Sequence, residues 1–270
     1  SVHISGCKTY AIAIASAAPI IHKNHFSNPR ASTVIYSKSA SPEIIDNHLE
    51  LTKSQPGIIL ISSDAHIAKN RFQGGGNAIS CRASSPKIEN NEFTGADIAI
   101  SGLQSDFVIT GNRISDSPTG IYVDGGQPTI RSNHIHNSSV AAISLWDSPQ
   151  GTISENIIEL SKIGVYRKAA NLTIDRNQFQ ENDYAIYIKE GAAQIRRNVL
   201  NKSVEAGIAF WAGAAGEVRD NDIRDSRYSI YTQNASPAIR QNRISGGEYG
   251  IRSQSASPKI VSNQISGVSE

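Results

Sequence analysis

The sequence predicts an all-β fold, a single-stranded right-handed parallel β-helix (a solenoid) of about 12 coils of 21–23 residues each. Three observations carry this expectation. One short pattern recurs twelve times in register, an alternating apolar block follows most recurrences, and the apolar residues are dominated by β-branched types.

The recurring pattern is an aliphatic residue, two variable residues, Asn, one variable residue and a second apolar residue. Its asparagines are Asn24, Asn47, Asn70, Asn91, Asn112, Asn133, Asn156, Asn177, Asn198, Asn221, Asn242 and Asn263, separated by 21 or 23 residues each time. Three residues before each Asn stands Ile, replaced once by Val218, and two residues after it stands Phe, Leu or Ile. A fixed period of this length marks a repeat architecture in which no unit buries its apolar face alone.

About nine residues after each Asn comes the second block, as in Gly120, Ile121, Tyr122, Val123 and again in Ala185, Ile186, Tyr187, Ile188. Its period of two predicts a strand with one face inward and one outward. Before the repeat's aliphatic residue there is often a Pro preceded by Ser, as at Pro42, Pro86, Pro237 and Pro258. Pro is tolerated at the first residue of a strand, and Ser, Gly and Asn supply turns. Each coil is therefore expected to hold two or three short strands, each paired with its equivalents at roughly 4.8 Å in the coils on either side. A hexapeptide coil of about 18 residues would favour left-handed winding. The longer, uneven coil here favours the right-handed form, the usual hand of parallel connections. The asparagines, flanked by inward apolar residues, read as a hydrogen-bonded ladder at a corner of the coil rather than a binding site.

Ile occurs 38 times against 8 Leu, and there is no Met. Lys and Arg number 26 against 24 Asp and Glu, so the chain lacks the basic footprint of a nucleic-acid binder. No apolar run is long enough to span a membrane, and no leader-like segment appears. Residues 1–270 are read as one β-helix domain excised from a longer protein. Because the repeat runs from Ile4 to Ile265, its ends are expected to be capped by further sequence or another chain. Cys7 and Cys81 fall several coils apart and are not expected to pair; they read as small apolar residues.

Segments such as Pro237, Ala238, Ile239, Arg240, Gln241, Asn242, Arg243, Ile244, and Thr119, Gly120, Ile121, Tyr122, Val123, resemble the repeats of right-handed β-helix proteins. The likeness is to the NosD-like, carbohydrate-associated group, and also to the β-helix region of F-box-only proteins. It covers nearly the whole chain and implies the fold. That group includes lyases, epimerases, binding modules and recognition scaffolds, so it does not choose a function. Its lyases use clustered Asp with Ca²⁺ and a basic residue, and its epimerases a short Tyr/His/Asp motif. This sequence shows neither dense cluster, and no cofactor or metal is expected from the resemblance.

Aligned on the Asn, outward positions stack into columns. One column holds Tyr122, Tyr166, Tyr187, Tyr231 and Arg252; two residues further along, the next holds Asp124, Trp146, Lys168, Lys189, Trp211 and Gln233. Together they predict an aromatic stripe, with Tyr122, Trp146, Tyr166, Tyr187, Trp211 and Tyr231 as ligand-binding candidates. The bland reading is that Tyr simply suits an exposed strand, where cross-strand aromatic pairs stabilise the sheet. Asp124, Asp147, Arg167, Lys168 and Lys189 are the charges near these rings that acid–base chemistry could draw on. Arg167 aligns with inward Val123 and Ile188, and a local register shift is expected to spare it burial.

A further column after the Asn carries His25, His48, Arg71, Arg113, His134 and Arg243. His25 and His48 lie in adjacent coils, but with no third ligand evident they read as exposed polar filler. Arg131, Arg176, Arg196, Arg197, Arg219 and Arg240 alternate with Glu89, Glu155, Asp175 and Asp220, which predicts cross-coil ion pairs rather than a polyanion groove.

Two functional classes follow. The first is a carbohydrate-directed module, extracellular or at the cell envelope, binding a polysaccharide along the stripe and, if an enzyme, a lyase or epimerase. The second is a non-catalytic protein-recognition or structural scaffold, for which the cytoplasm is equally open.

Overall fold

The computed structural model describes residues 3–4, 7–27, 32–147, 150–168 and 171–270. Among them all regular structure is strand, and three parallel sheets form a β-solenoid of about 12 turns. By contact the chain divides into two units, Ser1–His134 and Ile135–Glu270.

In Ser1–His134 each coil runs through three strands in a fixed order, as in Glu43–Ile45, His48–Leu51 and Ile58–Ile61. The first precedes the repeat Asn, the second follows it and the third is the apolar block. We refer to their sheets as the pre-asparagine, post-asparagine and long-strand sheets. Every strand pairs in parallel with its equivalent one coil away, so Ile44 faces Ile67 and Leu49 faces Phe72. The same order recurs in Ile135–Glu270, as in Ala192–Arg196, Val199–Asn201 and Ala206–Trp211.

Burial follows the period of two. In Thr119–Asp124 the side chains of Ile121 and Val123 are fully buried while Tyr122 is half-buried. The core is stacked aliphatic side chains with a few rings, such as Phe72 on Phe93 at 4.7 Å and 8°. β-Branched side chains suit this packing because they are stiff at χ1 and meet an identical neighbour in the next coil. In the last coil the inward Ile260 and Ile265 are 50% and 45% exposed.

The corners explain the asparagines. The residue before each repeat Asn takes a left-handed conformation, with φ of 55–57° at Lys23, Asp46, Lys69, Asn90, Ser132, Glu155, Arg176, Arg197, Asp220, Gln241 and Ser262, and 67° at Gly111. For a residue with a Cβ that conformation costs about 1–2 kcal/mol. The amide ladder offsets it. Asn70 Nδ2 donates to the carbonyls of Ile44 (2.7 Å) and Ala68 (3.0 Å) and to Asn91 Oδ1 (3.0 Å), while Asn91 Oδ1 also accepts from the Asn70 backbone N–H (2.9 Å). The pattern runs from Asn24 to Asn133 in the first unit and from Asn156 to Asn263 in the second. The ladder is thus a structural element, as its flanking residues predict.

The other corners use a quieter version of the same device. Ser84 Oγ accepts from the Ser63 backbone N–H (3.0 Å), Ser105 Oγ accepts from that of Ser84 (3.2 Å), and Asn182 Oδ1 accepts from that of Ser161 (3.0 Å). Each of these buried residues follows a left-handed one: Ser62, Ala83, Gln104, Leu160 and Glu181.

The mixed charges pair across and along coils. Arg197 grips the buried Asp175 with two bonds of 2.8 and 2.7 Å, and Glu217 pairs with Arg219 and Arg240. Cys81 is buried, which pushes its thiol well above the usual range and leaves it a small apolar residue in practice.

Candidate functional site

In Ile135–Glu270 the outward face of the long-strand sheet carries a row of five half-buried rings. Trp146, Tyr166, Tyr187, Trp211 and Tyr231 follow one another at centroid separations of 5.5, 5.8, 5.9 and 5.3 Å. Backbone register alone would not give this row. The Tyr column runs Ser144, Tyr166, Tyr187, Ala209, Tyr231, so two of its places hold small residues. At those two coils the Trp two residues onward leans across the gap. Trp146 is fixed there by its indole N–H, which donates to Ser144 Oγ at 3.0 Å. Trp211 has no equivalent acceptor at Ala209, and its shielded Nε1 has no hydrogen-bond partner among the described residues. The two tryptophans expected in the neighbouring column therefore complete the tyrosine column.

Ring orientation decides what this row offers a ligand. Tyr166 and Tyr187 stack at 25°, and Tyr187 and Trp211 at 16°, so these faces are spent on one another and their edges point outward. Trp146 and Tyr231 break the stack, at 45° and 51° to their neighbours. Burial pushes the pKa of the Tyr166 and Tyr187 hydroxyls up, keeping both as neutral hydrogen-bonding groups.

Where the stack opens there is a groove of about 260 Å³, lined by Tyr184, Glu205, Trp211, Tyr228, Tyr231 and Arg252, with Arg227 and Gln254 at its rim. Tyr231 donates its hydroxyl toward Gln233 and Gln254, both at 3.0 Å. Arg227 pairs with Glu205 and Glu248 at 3.2 Å each and lies over Tyr228. Arg252 lies over Tyr249 and Tyr228 at 4.8 and 5.7 Å. Tyr184, Tyr228, Glu205 and Arg227 were not expected from the column alignment. Their signal was the second Tyr three residues before Tyr187 and Tyr231, at the point where the strand starts.

Tyr122 and Asp124 belong to Ser1–His134. There they line a groove of about 320 Å³ with Asn77, Ser80, Ser101 and Leu103, where the outward column holds serines instead of rings.

The charges proposed for chemistry are spread out. Lys168 lies over Trp146 at 5.2 Å, Lys189 is exposed, and Asp147 is exposed just past Trp146, its backbone N–H donating to the Lys168 carbonyl at 3.3 Å. Arg167 requires a correction. No register shift occurs: it pairs in line with Leu145 and Ile188, points inward and is 1% exposed. One guanidinium N–H donates to the Glu190 carbonyl at 2.8 Å, the Nη2 group has no partner among the described residues, and burial pulls the group down to about 10. Continuous pairing on both sides outweighs the cost of one partly satisfied cation.

The histidine column holds a small cluster. His25 and His48 stack at 4.7 Å and 18°, and Glu50, two residues along from His48, joins them. His66, by contrast, forms a closed ion-pair set, with Glu89 held at 2.7 Å by its Nε2 and at 2.8 Å by Lys87 Nζ.

Against known proteins, the family described as right-handed β-helix region matches over residues 1–107, 56–194, 99–223 and 161–270. Among solved structures the chain is similar to PfbA, a surface adhesin of Streptococcus pneumoniae, at 14% identity and TM-score 0.53, covering 96% of this chain and 82% of that one. It is also similar to the periplasmic alginate epimerase AlgG, at 10% identity and TM-score 0.50, covering 95% of this chain and 73% of that one. No curated protein matches it in sequence. At these identities the structural likenesses speak for the fold alone. With matches that together span its whole length, the chain belongs to the right-handed β-helix family.

Proposed function

We propose that this chain is a non-catalytic polysaccharide-binding module whose contact surface is the outward long-strand face of Ile135–Glu270. The fold does not choose this reading, since its relatives include an adhesin and an epimerase acting on alginate. The observation that carries it is the groove at Trp211 and Tyr231. Two tilted rings there offer apolar surface beside Glu205, Arg227, Arg252 and Gln254, and a sugar needs both: a ring face to cover its C–H face and polar groups for its hydroxyls. Binding rather than chemistry is the reading because Asp147, Lys168 and Lys189 beside the ring row do not converge, and in the groove Glu205 is committed to its ion pair with Arg227 at 3.2 Å, although proton abstraction needs a base free to act beside a neutralising cation. In this reading the module works at the cell envelope or beyond it, where polysaccharides are met.

One observation favours a second reading, recognition of a protein. The stacked rings of Tyr166, Tyr187 and Trp211 turn edges outward, which suits a protein surface better than a sugar face. A glycan array carrying neutral and acidic polysaccharides, probed with wild type, Trp211→Ala and Arg252→Ala, separates the two. Glycan binding that both substitutions weaken supports the module. Binding to no glycan, or binding that neither substitution changes, overturns it.

A further inference from the structure

A second feature lies in Ser1–His134 and is independent of the aromatic face. His25 and His48 are direct backbone partners on the post-asparagine sheet, so their imidazoles emerge on the same side of adjacent coils. Glu50 is two residues beyond His48, which puts it on that same side. The parallel pairing therefore brings two imidazoles and a carboxylate together, although 25 residues separate His25 from Glu50.

The geometry is convergent. His25 Nε2 lies 3.1 Å and His48 Nε2 3.9 Å from the same Glu50 oxygen, and the ligand atoms of all three groups fall within 4.8 Å of one another. Bonds of about 2.0–2.1 Å at tetrahedral angles put neighbouring ligand atoms roughly 3.4 Å apart. The two observed distances bracket that value, so small side-chain rotations would seat an ion among the three groups. A second observation points the same way. His48 Nε2 is shielded from solvent and has no hydrogen-bond partner among the described residues. A shielded ring nitrogen aimed at a carboxylate it does not bond suits a third body between them.

Arg71, the backbone partner of His48 on the other side, is drawn to Glu92 at 3.8 Å and not to Glu50. At His66 and Glu89 there is one imidazole instead of two, His66 Nε2 holds one carboxylate oxygen at 2.7 Å and Lys87 Nζ the other at 2.8 Å, so that pair is a plain ion-pair set.

We propose that His25, His48 and Glu50 bind a divalent transition-metal ion of the zinc class, clamping two consecutive coils. Two imidazoles and one carboxylate are a borderline donor set suited to Zn²⁺, and three protein ligands leave a fourth position for water or an incoming group. Ca²⁺ and Mg²⁺, which prefer all-oxygen ligands, are not expected to compete.

The test is calorimetric titration of the chelator-treated chain with ZnCl₂ alone, on wild type, His48→Ala, Glu50→Gln and, as a control, His66→Ala. All three substituted positions are partly exposed, and circular dichroism verifies that each variant keeps its strand signal. Loss of an outer partner of a metal ligand already costs about 10–100-fold in affinity. Loss of a direct ligand is expected to cost at least that for His48→Ala and Glu50→Gln, with His66→Ala unchanged. Wild type that takes up no Zn²⁺, or uptake that His48→Ala and Glu50→Gln leave intact, overturns the proposal.

Discussion

Replacing Asn198 by Ala removes one rung of the ladder, and the structure lets the loss be worked out. Asn198 Oδ1 accepts from the Asn177 backbone N–H (2.9 Å) and Nδ2 (3.0 Å). Its own Nδ2 donates to the carbonyls of Ile174 and Arg196 and to Asn221 Oδ1, each at 3.0 Å. Not all of these are lost equally. Asn177 Nδ2 keeps Ile153 and Asp175, the Arg196 carbonyl keeps the Arg176 N–H, and Asn221 Oδ1 keeps the Asn198 N–H. What remains is one buried backbone N–H with no acceptor and a carbonyl at Ile174 short of a donor. At about 1–3 kcal/mol for an orphaned buried group, the change costs about 2–4 kcal/mol. Native-state hydrogen exchange at the Asn177 amide reads this locally, as a loss of protection of about 30- to 900-fold. Asn198→Asp sharpens the test. It preserves the acceptor for Asn177 but turns a carboxylate oxygen toward three other acceptors, so it is expected to be worse than Ala at neutral pH and to recover on acidification. Protection unchanged in Asn198→Ala, or wild-type stability in Asn198→Asp at neutral pH, would refute the ladder argument.

Three further outcomes follow from the same geometry. Arg167→Leu replaces a partly satisfied buried cation between Leu145 and Ile188 with a side chain matching both, and is expected to raise stability by about 1–3 kcal/mol in thermal unfolding; a loss of stability would mean that the guanidinium has a partner that matters. Ala209→Ser supplies Trp211 with the acceptor that Ser144 gives Trp146, for about 0.5–1.5 kcal/mol of added stability, measured in the same unfolding experiment. Glu89 is held below its ordinary 4.5 first by its hydrogen bond from Lys87, with His66 adding to it. A carboxyl depressed in the folded state contributes stability above its unfolded value and loses it as pH falls through the folded one. The gap between wild type and Glu89→Gln in denaturant titrations is therefore expected to be full at neutral pH and to close below pH 4.5; a gap that persists in acid contradicts it.

The sequence made the coil legible because parallel stacking repeats one environment. The Asn corner tolerates no substitute across twelve coils, so its period stands out. The serine corners do not stand out, for the opposite reason. Ser63, Ser84 and Ser105 do similar work after the long strands, and Ser161 and Ser226 after the post-asparagine strands, but Ser is common in the chain and Asn182 interrupts the second set. The rings were placed on the correct strands but in two columns. Their merging depends on the small residues Ser144 and Ala209, whose effect is visible only once the reach of an indole is considered. The inward Arg167 is not legible from its own burial cost, because the pairing on both flanks that enforces it outweighs that cost. Glu50 is not legible as the neighbour of His25 and His48 from a single column, because it lies two residues along the strand.

The binding face is open to direct measurement, since both tryptophans of the chain, Trp146 and Trp211, stand in the ring row. Titrating wild type and Tyr231→Ala with the polysaccharide selected on the array, and following tryptophan emission, reports on that face alone. A saturable emission change is expected in wild type, with binding weakened by about tenfold or more in Tyr231→Ala and strand circular dichroism intact; one lost aromatic contact of about 1.4 kcal/mol is worth that factor. Polysaccharide that binds tightly while tryptophan emission stays constant would place the contact elsewhere and contradict it.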